Sequence, residues 1–182
     1  VFTFLAHSIL EARTTYLPIY LYSIKFSPML VGLILTLGSA SGLLVRPLYG
    51  YLYNKYRAIT ISVAAFVGSL SLLFVTPLIE SFYGFVILML ISGVALGFNQ
   101  PLSLTIIGSE IDERKHGYAI GLRLMANRLA QLIGPLIFSF FVATSTIELA
   151  FIYSSFLLSL ICILTIKFFG SKKKIKKIAL DR

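Results

Sequence analysis

The chain is a series of apolar runs, each long enough to cross a bilayer, and that series constrains the fold more than any other feature. A membrane-spanning helix needs about 20 predominantly apolar residues. Six such runs stand at about 1–23, 28–53, 58–78, 82–108, 117–143 and 149–170. Their connections are short, so consecutive helices run antiparallel and leave no room for a soluble domain. The sequence therefore predicts an all-α membrane protein: a six-helix transmembrane bundle over 1–170 and a basic cytoplasmic tail over 171–182. Of the 182 residues, 58% are hydrophobic and 13% charged, which excludes disorder and argues against an ordinary soluble domain.

The net charge of +9 raises nucleic acid as a partner. Its distribution argues against that. Lys172, Lys173, Lys174, Lys176 and Lys177 sit together after the last apolar run, where they anchor a membrane protein to the cytoplasmic side. Lys55 and Arg57 follow the second run, and Arg114 and Lys115 follow the fourth. The opposite connections carry Lys25, Glu80 and Glu148. The excess of Lys and Arg makes the first side cytoplasmic. Both termini of this multi-pass chain then face the cytoplasm from the plasma membrane, and its partner is the lipid bilayer rather than nucleic acid. The lone Cys162 lies in an apolar run and reads as a small buried residue. The chain opens on Val1 and has its first methionine at Met29, so it reads as part of a longer protein or as having a non-standard start.

The fifth run, GYAIGLRLMANRLAQLIGPLIFSFF, carries the most polar chemistry. At a helical step of roughly 100° per residue, Arg123, Asn127, Gln131 and Gly134 fall on one arc, which Gly121, Arg128 and Pro135 extend. Leu122, Met125, Leu129, Ile133, Leu136, Ile137 and Phe140 take the other side. Arginines at such depth face a bundle interior or a water-filled cavity and serve function, or else bond to helix ends. In the first run, Glu11 and Arg13 stand near the middle, two residues apart and on nearly opposite faces. His7, Glu11 and Thr15 share one face, and Arg13, Tyr16 and Tyr20 another. Pro18 is expected to kink the helix or open its backbone. Desolvation raises the pKa of a membrane-buried carboxylate, so Glu11 is a candidate proton carrier, or else a fixed counter-ion for an arginine elsewhere.

In the second run, Gly38, Gly42, Arg46 and Gly50 recur every fourth residue and make a nearly smooth stripe, which predicts close helix contact. Arg46 can snorkel to headgroups or bond a neighbouring helix end. In the fourth run, Gly93 and Gly97 are packing positions, and Asn99, Gln100 and Pro101 interrupt the apolar pattern. The third run offers no chemistry, and the sixth reads as peripheral. At 1.5 Å per residue, Glu11, Asn99 and Arg128 each lie roughly 14–17 Å from the cytoplasmic ends of their helices, about half of a ~30 Å core. No metal site or cofactor is expected. The two histidines, His7 and His116, are far apart, and no ligand cluster or His–Glu–x–x–His spacing occurs. Ser39-Ala40-Ser41-Gly42 is similar to the Gly-x-Ser-Gly of rhomboid proteases with Ser39 in place of the first glycine. A serine nucleophile needs a base within reach, and neither histidine lies in a late helix, so an enzyme is not expected.

The first and last three runs have opposite topology, and LLVRPL in the second run aligns with QLIGPL in the fifth. Inverted three-helix repeats with a polar site near the midplane are a transporter arrangement. The segment TTYLPIYLYSIKFSPMLVGLILTLGSASGLLVRPLYGYLYNKYR resembles helices seven and eight, and the following loop, of the major facilitator superfamily. NQPLSLTIIGSEIDERKHGYAIGLRLMANRLAQLIGPLIF resembles its helices ten and eleven, in members similar to drug-efflux permeases. Of the loop motif Gly-x-x-x-Asp-Arg-x-Gly-Arg-Lys, Gly50, Asn54 and Lys55 fill the first three fixed places, with Asn for Asp and Lys for Arg. Arg57 replaces the second glycine, and Ala58 and Ile59 the final basic pair.

The resemblance implies one six-helix half of a secondary transporter, rocking against another half around a central cavity. It implies proton-coupled efflux of a small-molecule substrate, with protons as partners. Glu11, Arg13, Asn99, Gln100, Asn127, Arg128 and Gln131 are the expected pathway residues. Arg46, Gly50, Asn54, Lys55 and Arg123 are the expected gating residues. A missing N-terminal half or a partner half would complete the cavity, and the alternative is a truncated half-transporter without activity of its own.

Overall fold

A computed structural model describes residues 2–56 and 58–180. Among the described residues every regular element is helical. α1 (Phe2–Glu11) passes through a π-helical turn at Ala12–Tyr16 into α2 (Leu17–Ser23). α3 (Pro28–Leu44) is followed by a 3₁₀ turn at Arg46–Leu48 and by α4 (Tyr49–Lys55). α5 (Ala58–Val75) ends in a 3₁₀ turn at Thr76–Leu78. α6 (Phe82–Gly97) and α7 (Asn99–Glu110) make the fourth rod, α8 (His116–Thr144) the fifth and α9 (Ile147–Leu180) the sixth. α9 continues as helix past residue 170.

Proline and caps set the breaks. The π turn directly precedes Pro18, where a regular α turn would press the ring against the Thr14 carbonyl. The Leu17 amide bonds Ala12 O instead, one residue further back than in an α-helix. Pro47 and Pro77 lie in the 3₁₀ turns that end α3 and α5. Pro101 sits in the first turn of α7, where a missing amide costs least. Only α8 carries a proline in its interior, Pro135, without a break. Ser27 and Ser81 cap α3 and α6 by accepting the Leu30 amide at 3.4 Å and the Gly84 amide at 3.1 Å.

Among the described residues, five helical stretches are long and apolar enough to cross a membrane: Pro28–Leu48, Thr60–Leu78, Phe82–Ser109, Glu113–Thr144 and Ile147–Thr165. The sixth expected span, Phe2–Ser23, is divided by the π turn into pieces of 10, 5 and 7 residues and carries His7, Glu11 and Arg13.

The rods pair selectively. α3 lies along α6, and α1 along α8, with α5 packed against α6, α1 and α9. The α3–α6 seam is built on glycine. A Cβ at Gly42 would stand 2.8 Å from the Gly93 carbonyl oxygen. A Cβ at Gly97 would stand 2.8 Å from the Gly42 Cα, and one at Gly93 would run into the Gly38 carbonyl and the Ser41 hydroxyl. The expected Gly38–Gly42 stripe thus meets the Gly93 and Gly97 packing positions backbone to backbone. Gly50 stands in open space and takes no part. Along α1–α8 the Gly134 position approaches Ser8, 3.5 Å to its Cα.

An aromatic core closes one end of the bundle. Tyr16 stacks on Phe138 at 4.1 Å, Phe138 meets Phe151 edge-on at 4.8 Å, and Tyr20 bridges Phe151 and Phe85 at 5.7 and 6.4 Å. The Tyr16 hydroxyl reaches α8 twice, donating to Pro135 O at 2.8 Å and sharing a 2.5 Å bond with Ser139 Oγ.

Candidate functional site

Between α1, α3 and α6 lies a cavity of about 200 Å³, bounded at one end by the start of α7. The glycine seam forms its floor: Gly38, Gly42, Gly93 and Gly97 all border it. Its polar lining comes from His7, Arg13, Thr14, Ser39, Arg46 and Asn99. A second cavity of about 230 Å³ adjoins it at Asn99 and is lined by Thr3, Ser62, Ser103 and Arg123 among others. Through the shared Asn99 the two cavities set a row of polar side chains, a polar track, from the π turn to Arg123 of α8.

Arg13 is only 4% exposed. The π turn holds it, and glycine makes room for it: a Cβ at Gly38 would collide with the guanidinium, standing 3.1 Å from Cζ. Among the described residues it has no hydrogen bond and no carboxylate partner. His7, 8% exposed, sets its ring against the Thr3 backbone, and the charges of Arg123 and Glu11 act on it. Arg123 donates from Nε to Ser103 Oγ at 2.7 Å, tying α8 to α7. Arg46 is exposed at the cavity edge in the 3₁₀ turn that ends α3.

The expected pathway residues divide into two groups. Arg13 and Asn99 line the track, and Arg46 and Arg123, expected as gating residues, line it as well. Glu11 is half-buried on the α8 side of α1, near Gly134, and borders neither cavity. Arg128 is exposed and donates to Gln131 Oε1 at 2.9 Å, so these two partner each other along α8. Asn127 is half-buried, with a buried and unpartnered Oδ1. The inward stripe of α8 runs through Arg123, Asn127, Ala130, Gly134 and Phe138 rather than through Arg128 and Gln131. Lys55 lies over the Tyr56 ring at 5.7 Å. The side chains of Gln100 and Asn54 lie outside the described residues. Sequence reasoning passed over His7 as a site residue, although its spacing of four from Glu11 put both on one face.

Ser41, the serine of the protease-like stretch, donates to Gly38 O at 2.9 Å and Leu90 O at 3.2 Å inside the seam. Its hydroxyl is engaged with two backbone carbonyls, which is the environment of a packing residue.

No curated protein matches the chain. The family model described as Major Facilitator Superfamily matches residues 2–180, nearly the whole sequence. A multi-pass helical bundle with a polar track between tightly packed helices is the setting such a family needs for carrying solutes across a membrane, and it points to a transporter rather than an enzyme. The chain belongs to the Major Facilitator Superfamily.

Proposed function

We propose that this chain forms one six-helix wall of a secondary transporter that moves a small solute by alternating access, in proton-coupled efflux. The observation that carries this reading is the polar track: two cavities of about 200 and 230 Å³ meeting at Asn99, with the buried Arg13 at one end and Arg123 at the other. Phe2–Ser23 serves as the sixth span, since His7, Arg13 and Thr14 line a cavity and Glu11 lies by Gly134 of α8 rather than facing lipid. The pairing supports two inverted three-helix repeats: exchanging the first three rods with the last three turns the α3–α6 contact into the α8–α1 contact. The chain lies in the plasma membrane with both termini cytoplasmic, and residues beyond 170 supply the basic anchor. The exposed Arg128–Gln131 pair on α8 belongs to the face that a second six-helix half covers. Asn127, Gln100, Gly50, Asn54 and Lys55 complete the pathway and the cytoplasmic gate.

Glu11 is the proton carrier in this reading. It acts on the track through His7, whose ring feels its charge. The test is Glu11→Gln in the complete transporter. Proton-driven solute accumulation in vesicles should fall at least tenfold, while solute exchange without net proton movement persists. Accumulation equal to that of the unmodified protein would remove Glu11 from the coupling mechanism.

A further inference from the structure

We infer that the solute, or its recognised group, is a small anion bound by Arg13. This rests on the transport reading above and names the substrate class of the same track. Arg13, Arg46 and Arg123 line the two cavities with His7, and among the described residues no carboxylate lines either one. Arg13 carries the argument. A buried cation without a counter-charge is costly, because the interior does not replace the water it has lost. Proteins that keep such a group pair it, and here no partner within the described chain does so. Gly38 leaves space where a side chain would displace the guanidinium, so the seam is shaped to hold this charge at the cavity wall.

His7 lines the same cavity, its ring set against the Thr3 backbone. The planar guanidinium of Arg13 is suited to the oxygens of a carboxylate or phosphate group, which Arg can hold through two parallel hydrogen bonds. Asn99 and Thr14 add neutral donors around them. The size of the cavity agrees with a small ligand. Its volume of about 200 Å³ lies below the roughly 300–1,000 Å³ common for drug-sized molecules. A cation placed here would meet two arginines and, among the described residues, no acid.

The experiment uses the complete transporter purified in detergent. Binding of benzoate, inorganic phosphate and, as the cationic counterpart, tetraethylammonium is measured by titration calorimetry at constant ionic strength. At least one of the two anions should bind and tetraethylammonium should not. Arg13→Gln should weaken anion binding at least tenfold, and Arg13→Lys should fall between the two because it keeps the charge but not the planar fork. Should Arg13→Gln fail to fold, Arg13→Lys and His7→Gln carry the test, each expected to weaken binding severalfold. Tetraethylammonium binding without anion binding, or binding of neither anion, overturns the inference. So does anion binding that is unchanged in the Arg13 and His7 variants, which would mean an adventitious ion only. None of these outcomes touches the transport reading, which Glu11→Gln tests through proton-driven accumulation whatever the charge of the solute.

Discussion

Substituting Gly42 by alanine tests the seam that floors the cavity. The new Cβ would stand 2.8 Å from the Gly93 carbonyl oxygen and 3.4 Å from its carbon. Carbon–oxygen contacts between packed helices sit at about 3.3–3.6 Å, so the approach is short by roughly 0.5–0.8 Å. Both sides of the contact are backbone, so no rotamer can relieve it, and α3 and α6 must part. Parting by that distance carries the bond from Ser41 Oγ to Leu90 O, now 3.2 Å, to about 3.7 Å or more, beyond hydrogen-bond reach. The overpacking costs about 1–3 kcal/mol. The lost interhelical bond costs about 0.6 kcal/mol in a membrane. Alanine returns about 1 kcal/mol through helix propensity. The net expectation is a loss of about 0.6–2.6 kcal/mol. Gly32 is the internal control: it lies in the same helix, and a Cβ there meets nothing within 4 Å. Gly32→Ala should be neutral or gain up to about 1 kcal/mol. Unfolding in mixed micelles titrated with SDS, followed by circular dichroism, measures both. Equal stabilities for the two variants would refute the backbone-to-backbone reading of α3 and α6.

Two further substitutions probe other joints. Tyr16→Phe keeps the ring on Phe138 but removes the hydroxyl bonds to Pro135 O and Ser139 Oγ, and should cost about 1 kcal/mol in the same titration, with no change in aromatic packing. Lys25 has φ of 68° and closes α2, where its amide bonds Tyr22 O at 3.0 Å and the Phe26 amide bonds Leu21 O at 3.0 Å. A left-handed residue in this helix-ending motif favours glycine. Lys25→Gly should therefore stabilise the chain by about 0.5–1 kcal/mol, and a lower SDS midpoint would contradict that expectation.

Much of this was legible from residue pattern alone, and the reasons are local. The apolar runs placed the first five rods to within a few residues, because capping serines and turn prolines stand at their ends, whereas the sixth helix continues through the lysine-rich stretch to Leu180. The glycine spacing in the second and fourth runs announced a close contact, since small residues four apart have little other use in a membrane helix. The π turn was not legible. An ideal helical wheel puts Arg13, Tyr16 and Tyr20 on one face. The wide turn re-phases the residues on its C-terminal side, so Arg13 enters the α3–α6 side while Tyr16 reaches α8. The same limitation separates Arg128 from Arg123. Both lie within the polar half of the wheel, but five residues separate them by about 140° around the helix, so with Gly134 against Ser8 Arg123 reaches Ser103 and Arg128 stays outside. A wheel records angles within one helix. It does not record which neighbour each angle meets.

The seam also dictates an order of events during synthesis. Its two halves are far apart in the chain: Ser41 and the Leu90 carbonyl that it bonds are 49 residues apart. At about 5–20 residues per second, the ribosome supplies the second some 2.5–10 seconds after the first. During that interval α3 stands in the bilayer without its closest neighbour. The Ser41 hydroxyl can donate to Gly38 O of its own helix at 2.9 Å, and the helical backbone satisfies itself, so α3 waits without an exposed polar group. The smooth glycine face is a berth held open for a helix not yet made. A nascent chain arrested before α6 emerges would therefore present that face to lipid or to any other small-residue helix nearby, and the floor of the cavity comes into being only once the fourth rod has entered the membrane.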